Sequence, residues 1–229
     1  MAYTMAQTIE LAEAMLDEPG TGNIGTTSQV ALINAANLDV FHELIRANPS
    51  FFMIKASFTW PSGTESLDIA GASYLNATIH KLYSIESIGA TTVTPSNLPQ
   101  KLAPMSWLER TGFLSGGGGT VFAPAWYTLQ GVSTLYIAPV PTQATVLNVY
   151  YIPALAKLTS SDGATEVLGG KCDEFQVAVA YRYADLVAAR QRSKNTAPKQ
   201  LWLEQLSRIA ESAPDRTEDE PRYVHWMGD

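Results

Sequence analysis

Residues 48–60 read NPSFFMIKASFTW, and within this stretch the spacing of apolar residues changes from that of a helix to that of a strand. Before it, apolar residues from Ile33 to Leu44 recur with helical spacing. That helix should end at Asn48, because the residue before a proline is disfavoured in the helical conformation. After it, every second residue from 52 to 60 is apolar, which is the period of a strand.

Toward the N-terminus, the pattern predicts two helices. Apolar residues recur on one face from Met5 to Leu16, which indicates a short first helix. The segment 17–27 is rich in glycine and contains a proline, so we expect a connection there. Thr27 or Ser28 could then cap the second helix, since a hydroxyl can accept a hydrogen bond from the first turn.

Toward the C-terminus, short runs rich in Val, Thr, Tyr and Ile predict strands at 66–70, 82–88, 120–129, 133–137 and 145–151. A short helix is predicted at 104–110, with Pro104 at its favoured first position. Residues 51–158 should therefore form an antiparallel β-domain, either a sandwich or a barrel.

Helical spacing returns at Lys171. The predicted long helix has two apolar faces, so it packs either against this chain and a neighbouring subunit or wholly inside this chain. A further helix is expected at 198–212, and its inward residues should be Leu201, Gln205, Leu206 and Ile209. The acidic, proline-containing segment 213–229 is expected to be flexible.

Helices, strands and helices thus follow one another in separate blocks, which favours an α+β fold over a parallel α/β fold. The β-domain is expected to be inserted into a small helical bundle. The predicted parts are N-terminal helices at 1–50, the β-domain at 51–158, C-terminal helices at 159–212 and an acidic tail at 213–229.

The 229 residues carry a formal net charge of −7, and only 16% of them are charged where about 25% is usual. This composition excludes a strongly basic nucleic-acid binder. Cys172 is the only cysteine, so an internal disulfide is impossible and synthesis in a reducing cytoplasm is expected. No apolar run reaches the length of about 20 residues that a membrane span needs, so we expect a soluble protein without membrane contact.

The glycine run and the histidines do not match known catalytic or metal-binding motifs. The run of glycines at 116–119 lacks the lysine of a phosphate-binding loop, so a flexible loop is the simpler interpretation. The three histidines, at 42, 80 and 225, lack metal-ligand spacing, and we expect His42 to be partly buried. We therefore predict a protein that is not an enzyme, with no catalytic, cofactor-binding or metal-binding residues.

Two other function classes stay open at this point. The carboxylates of Glu65, Asp68, Glu86 and Glu109 could hydrolyse a glycoside, because the spacing of such pairs is spatial rather than sequential. Alternatively, the β-domain could bind carbohydrate or peptide. Its tryptophans would then form a platform for a sugar; they are Trp60, Trp107 and Trp126.

Candidate contact residues lie at the end of the long helix and in the tail. Arg182, Arg190 and Arg192 either compensate the dipole of the helix C-terminus or contact an acidic neighbouring surface. Exposed aromatic residues in an acidic segment can become anchors on binding. The partner-docking hypothesis for the tail therefore rests on three residues, Tyr223, Val224 and Trp226.

Several stretches resemble a known family. They are residues 32–36 (LINAA), 124–131 (PAWYTLQG), 133–141 (STLYIAPVP) and 147–155 (LNVYYIPAL), followed by an acidic loop and a helix rich in Ala and Tyr. This order is similar to that of head–tail adaptor proteins of tailed bacteriophages. The acidic aromatic tail and the glycine run depart from that pattern.

The resemblance implies a structural protein of the virion neck. Its partners would be the portal protein, a downstream tail or tail-terminator protein and further copies of itself in a ring, often of twelve subunits. Genomic DNA would pass through the ring without sequence-specific binding. The alternative within the virion is another tail-completion protein, and in either case synthesis in the host bacterial cytoplasm is expected.

Overall fold

The computed structural model describes residues 4–16, 24–71, 73–75, 77–90, 99–106, 108–109, 124–159, 168, 173–191 and 196–212. Four helices of 11 to 22 residues are present in this part of the chain: α1 (Met5–Met15), α2 (Thr26–Ala47), α3 (Asp173–Arg190) and α4 (Ala197–Ser212). Leu108 and Glu109, within the helix predicted at 104–110, are also helical. A short 3-10 turn, Pro49–Phe51, follows α2.

The strands lie between α2 and α3. They are β1 (Ile54–Trp60), β2 (Ser66–Asp68), β3 (Ile79–Ala90), β4 (Gln100–Lys101), β5 (Ala103–Pro104), β6 (Trp126–Gln130), β7 (Thr134–Ala138) and β8 (Thr145–Pro153). This order confirms the predicted α+β class. The chain divides into two units, one from Met1–Phe51 with Leu155–Asp229 and one from Phe52–Ala154.

The helical unit is organised around α3, which contacts α1, α2 and α4. Its small residues Ala178, Ala180 and Ala184 are fully buried, so the neighbouring helices can approach closely. Both apolar faces of α3 therefore find partners within this chain, as one of the two alternatives predicted.

The prediction for the inward face of α4 was wrong in one respect. Trp202 is only 9% exposed and Ile209 only 1%, whereas Leu201 is 36% exposed. The other three predicted residues do lie inward, since Ile209 is buried and Gln205 and Leu206 are half-buried, so only the first position of the predicted face was wrong. Trp202 is larger than Leu201, so burying the indole removes more apolar surface from water.

The first two helices begin differently from one another. In α1, the Thr4 side chain accepts from the Gln7 N–H while the Gln7 side chain accepts from the Thr4 N–H, which satisfies two donors of the first turn. In α2, the cap is Gly25 and forms no side-chain hydrogen bond. The predicted cap at Thr27 or Ser28 was wrong, because both residues already lie inside the first helical turn.

The β unit contains two four-stranded sheets. The first sheet is antiparallel in the order β1-β8-β3-β4, and the second has the order β2-β7-β6-β5 with β5 and β6 parallel. Inward side chains of both sheets form one buried core, which includes Trp60, Ile85, Ile137 and Val149. Whether this arrangement is a sandwich or a barrel stays a prediction.

The segment 99–106 passes from the edge of the first sheet to the edge of the second. Lys101 pairs with Glu86, the next residue Leu102 is buried, and Ala103 pairs with Trp126. The predicted helix start at Pro104 was wrong, because Pro104 lies in β5. A proline fits there since β5 is an edge strand, and its neighbours Ala103 and Met105 donate hydrogen bonds to the carbonyls of Ala125 and Tyr127.

Candidate interaction surfaces

Arg182 is positioned by contacts with three helices. Its guanidinium donates to Asp39 of α2 at 2.9 Å from Nε and forms an ion pair with the same carboxylate at 2.8 Å from an Nη atom. It also pairs with Asp185, one turn further along α3. The guanidinium carbon lies 5.0 Å from the centre of the Trp202 ring on α4. The Arg182 side chain is 22% exposed, so its charge is used within the helical unit.

Arg190 has a different environment. It is exposed in the last turn of α3, where a cation stabilises the helix dipole, and its Nη2 atom donates to the Ser28 hydroxyl over 3.4 Å. The remaining predicted docking residues, Arg192, Tyr223, Val224 and Trp226, lie outside the described residues. A docking role for all six residues stays a prediction.

Two asparagines of α2 hold the segment that leads from the β unit into α3. Asn34 donates to the Leu158 carbonyl and accepts from the Leu158 N–H, both at 2.9 Å. One turn later, Asn37 is buried and accepts from the Leu168 N–H at 3.0 Å. The sequence reasoning gave these residues no role. The available signal was a pair of polar residues among the buried apolar positions of α2, and buried amides need hydrogen-bond partners.

Large apolar side chains are exposed on each unit. On the helical unit, Leu38 is 45% exposed and Leu203 is 50% exposed. On the β unit, Val132 lies in the turn between β6 and β7 and is 59% exposed, and Leu108 is 83% exposed. Single exposed apolar residues are common on protein surfaces, so these side chains are candidates for contacts and no more than that.

The candidate carboxylates of the β unit serve local structure. Glu86 accepts from the Tyr150 hydroxyl at 3.1 Å, and Asp68 accepts from the Ala70 N–H. Glu109 accepts from the Ser106 N–H at 2.8 Å, and this backbone hydrogen bond lowers the pKa of the exposed Glu109 carboxyl. Glu65 also has an interaction partner. Each of these carboxylates therefore has an interaction within the described residues.

His42, Trp60 and Trp126 lie within the described residues. Within the described ranges, no three His, Cys, Asp or Glu side chains come together as a metal site. His42 is exposed beside Phe41, which corrects the expectation that it is partly buried. Trp60 is fully buried and donates to the Thr64 carbonyl at 2.8 Å, so it cannot stack on a sugar. Trp126 is half-buried, while Trp107, Cys172 and the glycine run 116–119 lie outside the described residues.

The helices that the structure describes include none that is both long and apolar enough to cross a membrane. Comparison with curated proteins gave no match. Comparison with protein families gave a match to the SU10 adaptor protein family over residues 3–225. This match covers nearly the whole chain and agrees with the resemblance to phage head–tail adaptors. The chain therefore belongs to the SU10 adaptor protein family, which makes it a structural adaptor of a bacteriophage.

Proposed function

We propose that this protein joins the head of a tailed phage to its tail. Twelve copies form a closed ring between the portal and the tail, in the neck of the virion, and the ring extends the DNA channel. The genome passes through without sequence-specific binding. The observation that carries the proposal is the family match over residues 3–225, which spans both units and the C-terminal segment.

A closed ring requires two different complementary patches on each subunit, because one heterologous interface repeats around the axis. Exposed apolar side chains on both units supply candidates for these patches. Leu38 and Leu203 are on the helical unit, and Leu108 and Val132 are on the β unit. Arg182 binds Asp39 and contacts the Trp202 ring within the helical unit. These contacts hold the helices together, so the outer surface of the unit is left for contacts with other proteins.

The principal experiment combines the full-length protein with the portal protein of the same phage. Light scattering after size-exclusion chromatography should give a complex whose added mass equals twelve copies, and electron microscopy should show a ring below the portal. Mass spectrometry of purified virions should find the protein in particles. If the protein is absent from virions and never associates with the portal, the proposal is wrong; binding only to the distal tail would support another tail-completion protein.

We assign the docking contact to the C-terminal segment, whose Tyr223, Val224 and Trp226 lie among acidic residues. Its partner is the portal or a neighbouring subunit, and Arg190 and Arg192 are candidates to receive an acidic segment from that subunit. Deletion of residues 214–229 should weaken assembly on the portal. A second variant replaces only Tyr223, Val224 and Trp226 by serine, which keeps length and charge, and it should weaken assembly as the deletion does. Unchanged assembly in both variants would contradict this assignment.

A further inference from the structure

The outer face of the first sheet carries a concentration of positive charge. Alternate residues of β1 point into the core, so Lys55 lies on the opposite face together with its cross-strand partner Tyr150. Lys81 of β3 pairs with Ile152, and Lys101 of β4 pairs with Glu86, which places both on the same outer side. All three lysines are exposed. We call these three residues the lysine face.

The lysine face is positively charged although the chain as a whole has a net charge of −7. Residues 52–154 contain four basic and four acidic residues, so the net charge of −7 arises elsewhere in the sequence. Three of these four basic residues lie on the lysine face, where Glu86 is the accompanying carboxylate. The sheet therefore presents a locally positive surface on an acidic protein.

Among the described residues, Glu86 lies opposite Lys101 on this face and offsets part of the positive charge. Across the ranges that the structure describes, no ion pair involves Lys55, Lys81 or Lys101. The Lys55 ammonium lies 5.7 Å from the centre of the Tyr150 ring, and that of Lys81 lies 4.9 Å from the Tyr83 ring. Aromatic rings orient these ammonium groups while leaving their charge available to an anion.

We propose that the lysine face contacts the phosphate backbone of duplex DNA, weakly and without regard to sequence. This inference rests on the proposed function, in which the genome passes through the ring. Contacts to phosphate typically come from Lys and from hydroxyl side chains. The exposed Thr59 lies on the same side of β1 as Lys55, whereas Ser57 between them donates its hydroxyl to Asn148.

The dimensions agree with a duplex. Lys55 and Lys101 lie on the two outer strands of the sheet, three strand spacings or about 14 Å apart. A duplex carries one negative charge per about 1.7 Å of its axis, so a length of about 14 Å carries about eight phosphates, and only those on one side of the duplex face the sheet. Three flexible lysines can neutralise only some of them, which suits sliding better than tight binding. The face carries no arginine to form the bidentate contacts that read bases.

The experiment measures fluorescence anisotropy of a labelled 30-base-pair duplex with the full chain at several salt concentrations. Three phosphate contacts should reduce the affinity about 40-fold between 50 and 200 mM salt. The variant Lys55→Gln/Lys81→Gln/Lys101→Gln should lose most of this salt dependence. The control variant changes three exposed basic residues of the helical unit, Lys157→Gln/Lys199→Gln/Arg208→Gln, and should behave as the unchanged protein.

The outcomes separate this inference from the proposed function. Equal loss of DNA binding in both variants, or in neither, overturns the lysine face as a DNA contact even if portal binding is intact. Tighter binding of polyglutamate than of DNA, with the same lysine dependence, also overturns it in favour of an acidic protein partner. Loss of portal binding by the unchanged protein would instead count against the proposed function. Thermal unfolding should be the same in all three proteins.

Discussion

Asn34 binds both backbone groups of Leu158, a residue 124 positions further along the chain, through two hydrogen bonds of 2.9 Å. The amide group thus satisfies a donor and an acceptor that would otherwise lie unpaired, since Leu158 is only 4% exposed. The same side-chain nitrogen also donates to the Val30 carbonyl at 2.9 Å. Helix α2 is thereby connected to the segment that leads into α3.

Replacing Asn34 by alanine should destabilise the protein by about 2 kcal/mol, because a buried N–H and carbonyl lose their partner. Urea denaturation measures the change. Glu43→Ala, an exposed change on the same helix, is the control and should alter stability by less than about 0.5 kcal/mol. An Asn34→Ala protein as stable as the control would show that Leu158 finds other partners.

Replacing Arg182 by alanine should cost about 1 to 3 kcal/mol, because contacts with two carboxylates and the Trp202 ring are lost. Arg182→Lys should recover only part of this loss, since an ammonium cannot contact Asp39 with two nitrogens and lie flat on the indole. Arg190→Ala is the matched control on the same helix, and its exposed 3.4 Å contact predicts little effect. Equal destabilisation by both alanine variants would contradict the assigned role of Arg182.

The Tyr183 hydroxyl is buried and, among the described residues, has no hydrogen-bond partner. Burial, with the negative charge of Glu13 nearby, raises the pKa of Tyr183 to about 12. Tyr183→Phe removes the unsatisfied hydroxyl, so its stability at pH 7 should be equal to or slightly above that of the unchanged protein.

The same pKa predicts a response to alkaline pH. The phenol of Tyr183 has a pKa of about 10 in the unfolded state and about 12 in the folded state. Its contribution to the free energy of unfolding is therefore complete below about pH 10 and is lost as the pH rises toward 12. Denaturation at a series of pH values should show a steeper decline in this window for the unchanged protein than for Tyr183→Phe. Tyr136→Phe, which changes an exposed hydroxyl, is the control and should retain the steeper decline.

Gly131 begins the turn between β6 and β7 with a φ of +64°, a conformation that side chains disfavour. Gly131→Ala should therefore cost about 1 kcal/mol, although a Cβ there would meet no atom within 4 Å. Gly71→Ala is the control, because its Cβ would make an ordinary contact at 3.7 Å and its φ lies outside the left-handed region. Thermal unfolding of both variants tests this difference, and equal melting temperatures would rule out backbone strain at Gly131.

Much of the fold could be predicted because its determinants are local. The change of period within residues 48–60 separates α2 from β1, and it depends on side chains only a few positions apart. Most predicted strands overlap observed ones for the same reason. The family could be recognised from short stretches such as 147–155, which form β8 and the residues after it.

The element boundary and the buried helix position that were predicted wrongly depend on residues far away in the sequence. Pro104 lies in a strand because β6 offers a parallel partner, and no local pattern reports that pairing. Trp202 rather than Leu201 is buried, and Arg182 of a different helix lies over the indole ring, a contact that no local pattern reports.

The sequence by itself determined the α+β class, the order of helices and strands, and the adaptor family, since periodicity and turn residues act over a few neighbouring positions. Only the tertiary structure decided the strand order, the pairing of Asn34 with Leu158, the internal use of Arg182 and the lysine face. These features join residues that are far apart in sequence, because the core buries apolar surface from many segments at once and fixes which polar groups then meet.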